Sequence, residues 1–257
     1  MELDFAATAF ICILSAVGGF VDSIAGGGGL IGLPAFLLAG VPVHYALGTN
    51  KLVSSLGKVM SIYRYHKLGY IDFRLIACCI PFCIAGASLG ARCNLALNDT
   101  VVTIVLLFAI PISAMMMFVS KTFKNSDHHS RKMTYKKRIM MACLCSLIMG
   151  FYDGLIGPGA GTFLIMILVF LSGMSIQQAN GNAKVINFST AISALVIFAM
   201  NGYTLWALAF MAGGCCIIGN YLGTRFFVKK GLKGARIVMF TILIVFFLKE
   251  TISLCSS

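Results

Sequence analysis

Residues 19–32 read GFVDSIAGGGGLIG, and residues 150–163 read GFYDGLIGPGAGTF. Each stretch lies within a long apolar run and breaks that run with glycine. A backbone that leaves its helical hydrogen-bond ladder at membrane depth is tolerated only where protein or a water-lined cavity satisfies it. The two breaks also correspond. Gly19, Phe20 and Asp22 match Gly150, Phe151 and Asp153 at an offset of 131, as do Gly26 and Gly28 with Gly157 and Gly159. After a slip of two residues the match continues at an offset of 133: Gly40, Ala46, Gly48 and Lys51 pair with Gly173, Ala179, Gly181 and Lys184. Further on, Gly69-Tyr70 pairs with Gly202-Tyr203, and Gly86, Gly90 and Arg92 pair with Gly219, Gly223 and Arg225. The chain therefore reads as two homologous repeats, 1–120 and 139–257, joined by a basic loop over 121–138.

Composition sets the environment. Of 257 residues, 59% are hydrophobic and 11% charged, with a mean hydropathy of +0.94. A soluble domain carries about a quarter charged residues, so this chain cannot cover a surface facing water. Its apolar segments fall at about 5–38, 43–63, 71–92, 100–119, 139–171, 176–200, 204–227 and 237–254. Such runs reach or approach the ~20 residues of a bilayer-spanning helix. The fold class is all-α, polytopic in the membrane.

The net charge of +12 is concentrated: 7 of 20 Lys and Arg lie in 121–138, 5 in 225–236 and 3 in 64–74. These short segments between apolar runs read as cytoplasmic loops. Nucleic-acid binding is excluded, because no aromatic residues are interleaved with the bases. If each glycine-broken segment crossed the membrane, the flanking bases would divide 11 inside to 6 outside; if each dips in and returns, they divide 15 to 2. The second arrangement follows the positive-inside bias. It gives each repeat three full spans plus a re-entrant segment, places the N-terminus outside, and makes the repeats antiparallel, an architecture of secondary transporters.

The short helices that resume after the breaks, about 30–38 and 162–171, begin with free N–H groups and a partial positive charge, a ready anion site. The candidate substrate ligands are Gly26, Gly27, Gly28, Gly29, Thr49, Asn50 and Lys51 in the first repeat, and Gly157, Gly159, Gly161, Thr162, Asn182, Lys184 and Asn187 in the second. Two readings compete. In one, Lys51 and Lys184 draw an anion to the helix starts; in the other, Asp22 and Asp153 neutralise the lysines or cap the broken backbone, and the set is scaffold. The aspartates are thus coupling or structural acids. Lys58 has Ala191 as its counterpart and reads as a vestibule or snorkelling residue. The repeated small-x-x-x-small spacings at Gly86/Gly90 and Gly219/Gly223 read as close helix packing.

Other features carry no chemistry. Gly27 to Gly32 formally matches a dinucleotide fingerprint but follows an apolar helix rather than a strand. The ten Cys lie mostly within apolar runs without a CxxC pair, so neither disulfide nor metal is expected. Asp127-His128-His129 reads as solvated loop, and no cofactor is expected. All four His lie at or beyond segment ends, which argues against a membrane enzyme, and no polar loop reaches 20 residues, which argues against a sensor or scaffold.

Taken with Pro34, Gly48-Thr-Asn-Lys51, Lys184-Val-Ile-Asn187 and Gly219-Asn-Tyr-Leu-Gly-Thr-Arg225, the two quoted stretches resemble the TauE/SafE sulfite exporter permeases, and within them the YfcA-like branch. The resemblance covers about residues 5–250. It implies a multi-pass permease of the bacterial inner membrane for small anions, chiefly sulfite and organosulfonates. The expected function is export of such an anion by alternating access between the repeats, with a proton- or cation-coupled importer as the alternative. The expected partners are that anion and the bilayer; assembly stays open, with a homodimer as one option.

Overall fold

The computed structural model describes residues 4–119 and 134–227, and among them every regular element is a helix. The helices are α1 (Phe5–Ala25), α2 (Gly29–Leu38), α3 (Val43–Lys67), α4 (Phe73–Leu95), α5 (Asp99–Val119), α6 (Tyr135–Leu155), α7 (Ala160–Ser172), α8 (Ile176–Met200) and α9 (Trp206–Phe227). The basic segment read as loop over 121–138 is already helical from Tyr135. The apolar segment at 237–254, Asp127-His128-His129 and the bases between 229 and 236 lie outside the described residues.

Six of these helices, α1, α4, α5, α6, α8 and α9, are long and apolar enough to cross a membrane. The 25-residue α3 has the length of a span but carries Lys51, Ser55, Lys58 and Ser61, all buried. Its polar stripe therefore faces protein and its low hydropathy reports an internal lining, as polar residues in spans generally do. Large apolar side chains such as Leu107, Phe108, Ile148 and Phe210 are exposed on the outside of the bundle, where lipid covers them. At 1.5 Å per residue, the 10 residues of α2 and 13 of α7 span about 15 and 20 Å, half a bilayer or slightly more.

Both short helices fold back on their predecessors. A Cβ on Gly18 of α1 would lie 3.2 Å from the Gly28 carbonyl and 3.5 Å from the Gly32 nitrogen, so α2 returns along α1. The rings of Tyr152 and Phe163 are 5.7 Å apart, so α7 returns along α6. Accordingly Arg138, near the start of the α6–α7 hairpin, and Met174, at its end, line one cleft with Tyr70, Asp72, Gln178 and Asn182. At the opposite end of α3, His44 Nδ1 lies 2.7 Å from Asp99 Oδ1, and the His44 ring meets Tyr203.

Contacts between residues before and after the 121–138 segment come in pairs with the roles exchanged. Gly48 abuts the Tyr203 carbonyl, and Gly181 abuts the Tyr70 carbonyl, each so closely that no Cβ fits. Thr49 Oγ1 accepts from the Leu205 N–H at 3.0 Å, and Asn182 Oδ1 accepts from the Asp72 N–H at 2.9 Å. Gly86 and Gly90 press α4 onto the α6 backbone at Leu147 and Phe151, while Gly219 and Gly223 press α9 onto α1 at Ala16 and Phe20. Absent side chains let these backbones approach, and van der Waals packing holds apolar helices together in lipid.

Candidate functional site

The two breaks are built differently yet meet. In the first, α1 ends as Gly26 turns to φ +76, its N–H donating to the Asp22 carbonyl at 2.8 Å. Gly28 closes the turn, its N–H donating to Asp22 Oδ1 at 3.4 Å. In the second, Gly157 (φ +93) and Gly159 (φ +81) flank Pro158. The Pro158 carbonyl accepts from the Tyr152 hydroxyl at 2.8 Å. Left-handed backbone costs a residue with a Cβ roughly 1–2 kcal/mol, which is why glycine recurs at these three positions. Thr162 Oγ1 donates to the Ala25 carbonyl at 2.8 Å, and a Cβ on Gly29 would lie 3.4 Å from the Pro158 Cα. The starts of α2 and α7 thus come together.

Each break holds an aspartate that a lysine from the other half reaches. Lys51 Nζ lies 2.9 Å from Asp153 Oδ1 and also donates to the Asp153 carbonyl. Lys184 Nζ lies 2.9 Å from Asp22 Oδ2 and also donates to the Asp22 carbonyl. All four side chains are at most 9% exposed. Asp153 Oδ2 accepts a further bond from Thr190 Oγ1 at 2.6 Å. Asp22 therefore does two jobs at once, holding the Gly28 N–H of the broken backbone and neutralising Lys184, whereas the Asp153 carboxylate is shared between Lys51 and the Thr190 hydroxyl. Removing one member of such a buried pair strands the other charge, at a cost of about 3–5 kcal/mol.

The remaining candidates divide between centre and periphery. Gly26, Gly29, Gly161, Thr162 and Asn187 converge where the breaks meet: a Cβ on Gly161 would come within 2.6 Å of Asn187 Nδ2 and 2.5 Å of the Gly26 carbonyl. Asn50 lies beside α2, its Oδ1 2.7 Å from where a Gly32 Cβ would stand. Thr49 and Asn182 are instead occupied with the Leu205 and Asp72 N–H groups, at the joints between helices. The Gly27 carbonyl accepts from the Leu30 N–H at 3.0 Å in the first turn of α2.

Several site residues escaped the sequence reading. The Tyr65 hydroxyl donates to the Ser23 carbonyl at 2.9 Å and accepts from Asn180 Nδ2, which also reaches the Ile24 carbonyl. Together they anchor the frayed end of α1. Lys58, read as a vestibule or snorkelling residue, is only 6% exposed. The signal was present: residues 51, 55, 58, 61 and 65 follow a helical period along one face of α3. Among the described residues no group of three or more metal-ligating side chains exists.

A family model described as sulfite exporter TauE/SafE matches residues 11–249. A probable membrane transporter protein, ORF9, of Sinorhizobium sp is 33% identical over 232 residues, covering 90% of this chain and 87% of that one. A probable membrane transporter protein of Haemophilus influenzae is 30% identical, covering 90% and 89%. The probable membrane transporter protein YfcA of Escherichia coli K12 is 30% identical over 225 residues, covering 87% and 81%. No solved structure matches.

Proposed function

The chain belongs to the sulfite exporter TauE/SafE family, and on that premise we propose that it exports small sulfur-containing anions, sulfite or organosulfonates, across a bacterial inner membrane. Two inverted repeats alternate access to a site between them. The observation that carries the reading is the reciprocal pair of buried bridges, Lys51 to Asp153 and Lys184 to Asp22. Each bridge joins the halves, so relative movement of the halves loosens both. A loosened lysine exchanges its carboxylate for the arriving anion. The starts of α2 and α7 add N–H groups and positive helix ends to the same place.

Energetics favour export. With a negative cytoplasm, each negative charge moving outward gains ~2.3 kcal/mol per 100 mV, and no coupling ion is required. A second reading, proton- or cation-coupled import, draws on the buried carboxylates of Asp22 and Asp153, which would carry the coupling charge.

The test replaces each bridge by a neutral pair of similar shape, Lys51→Met with Asp153→Asn and Lys184→Met with Asp22→Asn, and measures sulfite efflux from proteoliposomes. Efflux lost in both double variants supports the ligand roles. Efflux at the unmodified rate in both would remove the lysines from the transport path.

A further inference from the structure

Lys58 stands two turns beyond Lys51 on the buried face of α3. Lys51 and Lys184 each have a carboxylate at 2.9 Å, whereas among the described residues Lys58 has neither an ion-pair nor a hydrogen-bond partner. It lies within electrostatic range of Asp22, Lys51, Lys184 and Cys216. Three ammonium groups therefore share this interior with two carboxylates. A lone buried charge is costly unless something pairs with it, and inside a membrane its default reading is functional. The counterpart of Lys58 in the second half is Ala191, so this charge is no part of the reciprocal scaffold.

A cavity of about 20 Å³ lies in the same region, between α1, α2, α3 and α9. Its lining includes Ser15, Asp22, Gly28, Asn50, Ser54 and Cys216. Ser54 is one turn before Lys58, and Asp22 and Cys216 are two of the groups that feel its charge. Ser15 is 2% exposed, and among the described residues its hydroxyl has no hydrogen-bond partner. Ser15 thus offers the hollow an unpaired hydroxyl, while Lys58, not itself in the lining, stands one turn beyond Ser54, which is.

We propose that this hollow is the anion site, that Lys58 is its counter-charge and Ser15 a donor to its oxygens, and that it takes one singly charged oxyanion such as a sulfonate or hydrogensulfite. The inference rests on the permease reading and narrows its substrate. The selectivity follows from charge: two carboxylates leave the three lysines with a single positive charge, which a monoanion cancels and a dianion overshoots. At its present size the hollow accommodates about one water, so the conformation described is closed and the anion enters as the Lys–Asp bridges loosen.

The test is isothermal titration of the purified chain in lipid nanodiscs with methanesulfonate and with sulfate, alongside sulfite and methanesulfonate flux in proteoliposomes. Methanesulfonate should bind more tightly than sulfate. Lys58→Met should weaken methanesulfonate binding about tenfold or more, the scale of a lost charge-assisted hydrogen bond, while Lys58→Arg keeps it within about threefold. Ser15→Ala should give a smaller loss in the same direction. Unchanged methanesulfonate binding in Lys58→Met, with the flux of the unmodified chain intact, overturns this site and leaves the permease reading standing. Tighter sulfate than methanesulfonate binding by the unmodified chain overturns the charge argument without any variant. Absence of flux for either anion in the unmodified chain overturns the permease reading and this site with it.

Discussion

The two Lys–Asp bridges have the same length but different surroundings, and that difference yields a quantitative expectation. At 2.9 Å and an effective dielectric of about 20, the attraction within each pair is about 6 kcal/mol before desolvation is subtracted. Deleting one partner of a buried pair costs about 3–5 kcal/mol, largely from the charge left behind. Lys51→Met leaves Asp153 with the Thr190 hydroxyl as its nearest side-chain partner and should fall at the upper end of that range. Lys184→Met leaves Asp22 within reach of the Lys58 charge and should fall at the lower end, about 1–2 kcal/mol less. Adding Asp153→Asn or Asp22→Asn to the matching lysine variant should recover most of the loss. Unfolding by sodium dodecyl sulfate in mixed micelles reads these differences through the emission of the single tryptophan, Trp206. Equal losses for the two lysines would contradict a compensating influence of the Lys58 charge on Asp22. Strictly additive aspartate and lysine losses would contradict the bridges themselves.

Further outcomes follow from backbone geometry and helix packing. Gly219→Leu and Gly86→Leu would each drive a side chain into a facing carbonyl, of Ala16 and Leu147 respectively; each should cost about 3 kcal/mol or more, beyond ordinary overpacking, and be seen as loss of the monodisperse peak in detergent. Gly157→Ala, at φ +93, should cost about 1–2 kcal/mol in the same micelle titration. Tyr65→Phe removes a donor to the Ser23 carbonyl and should cost about 1–3 kcal/mol, while leaving the anion affinity of surviving folded protein near that of the unmodified chain. Single cysteines replacing Arg138 and Gln178 should both label from the cytoplasmic side in inside-out vesicles, because they line one cleft, whereas a cysteine replacing Asn98 should label from the opposite side.

The all-helical membrane class was legible because membrane helices leave coarse marks: apolar length and glycine breaks are local properties. The offset of 133 read from the sequence also relates two observed contacts, Thr49–Leu205 and Asn182–Asp72. What it could not supply was which groups meet across the halves. Lys51 and Asp153 are 102 positions apart, and no local pattern distinguishes a lysine held by that carboxylate from one open to an anion. Thr49 and Asn182 looked like ligands because each is near a lysine, yet successive positions on a helix point about 100° apart, and theirs point to the joints. Lys58, read as a vestibule or snorkelling residue because its counterpart is Ala191, is only 6% exposed, and the helical period of its polar neighbours along α3 marks that face.

The most direct measurement is electrogenic flux in proteoliposomes, with rapid jumps of sulfite, sulfoacetate, taurine, thiosulfate and chloride in turn. A permease for small sulfur-containing anions, needing no coupling ion, predicts current with one or two sulfur monoanions, none with chloride, and no dependence on an imposed pH gradient. Current that appears only with a proton gradient would instead favour coupled import through Asp22 and Asp153. Current of equal size for chloride and every sulfur anion would contradict a selective site at the helix breaks.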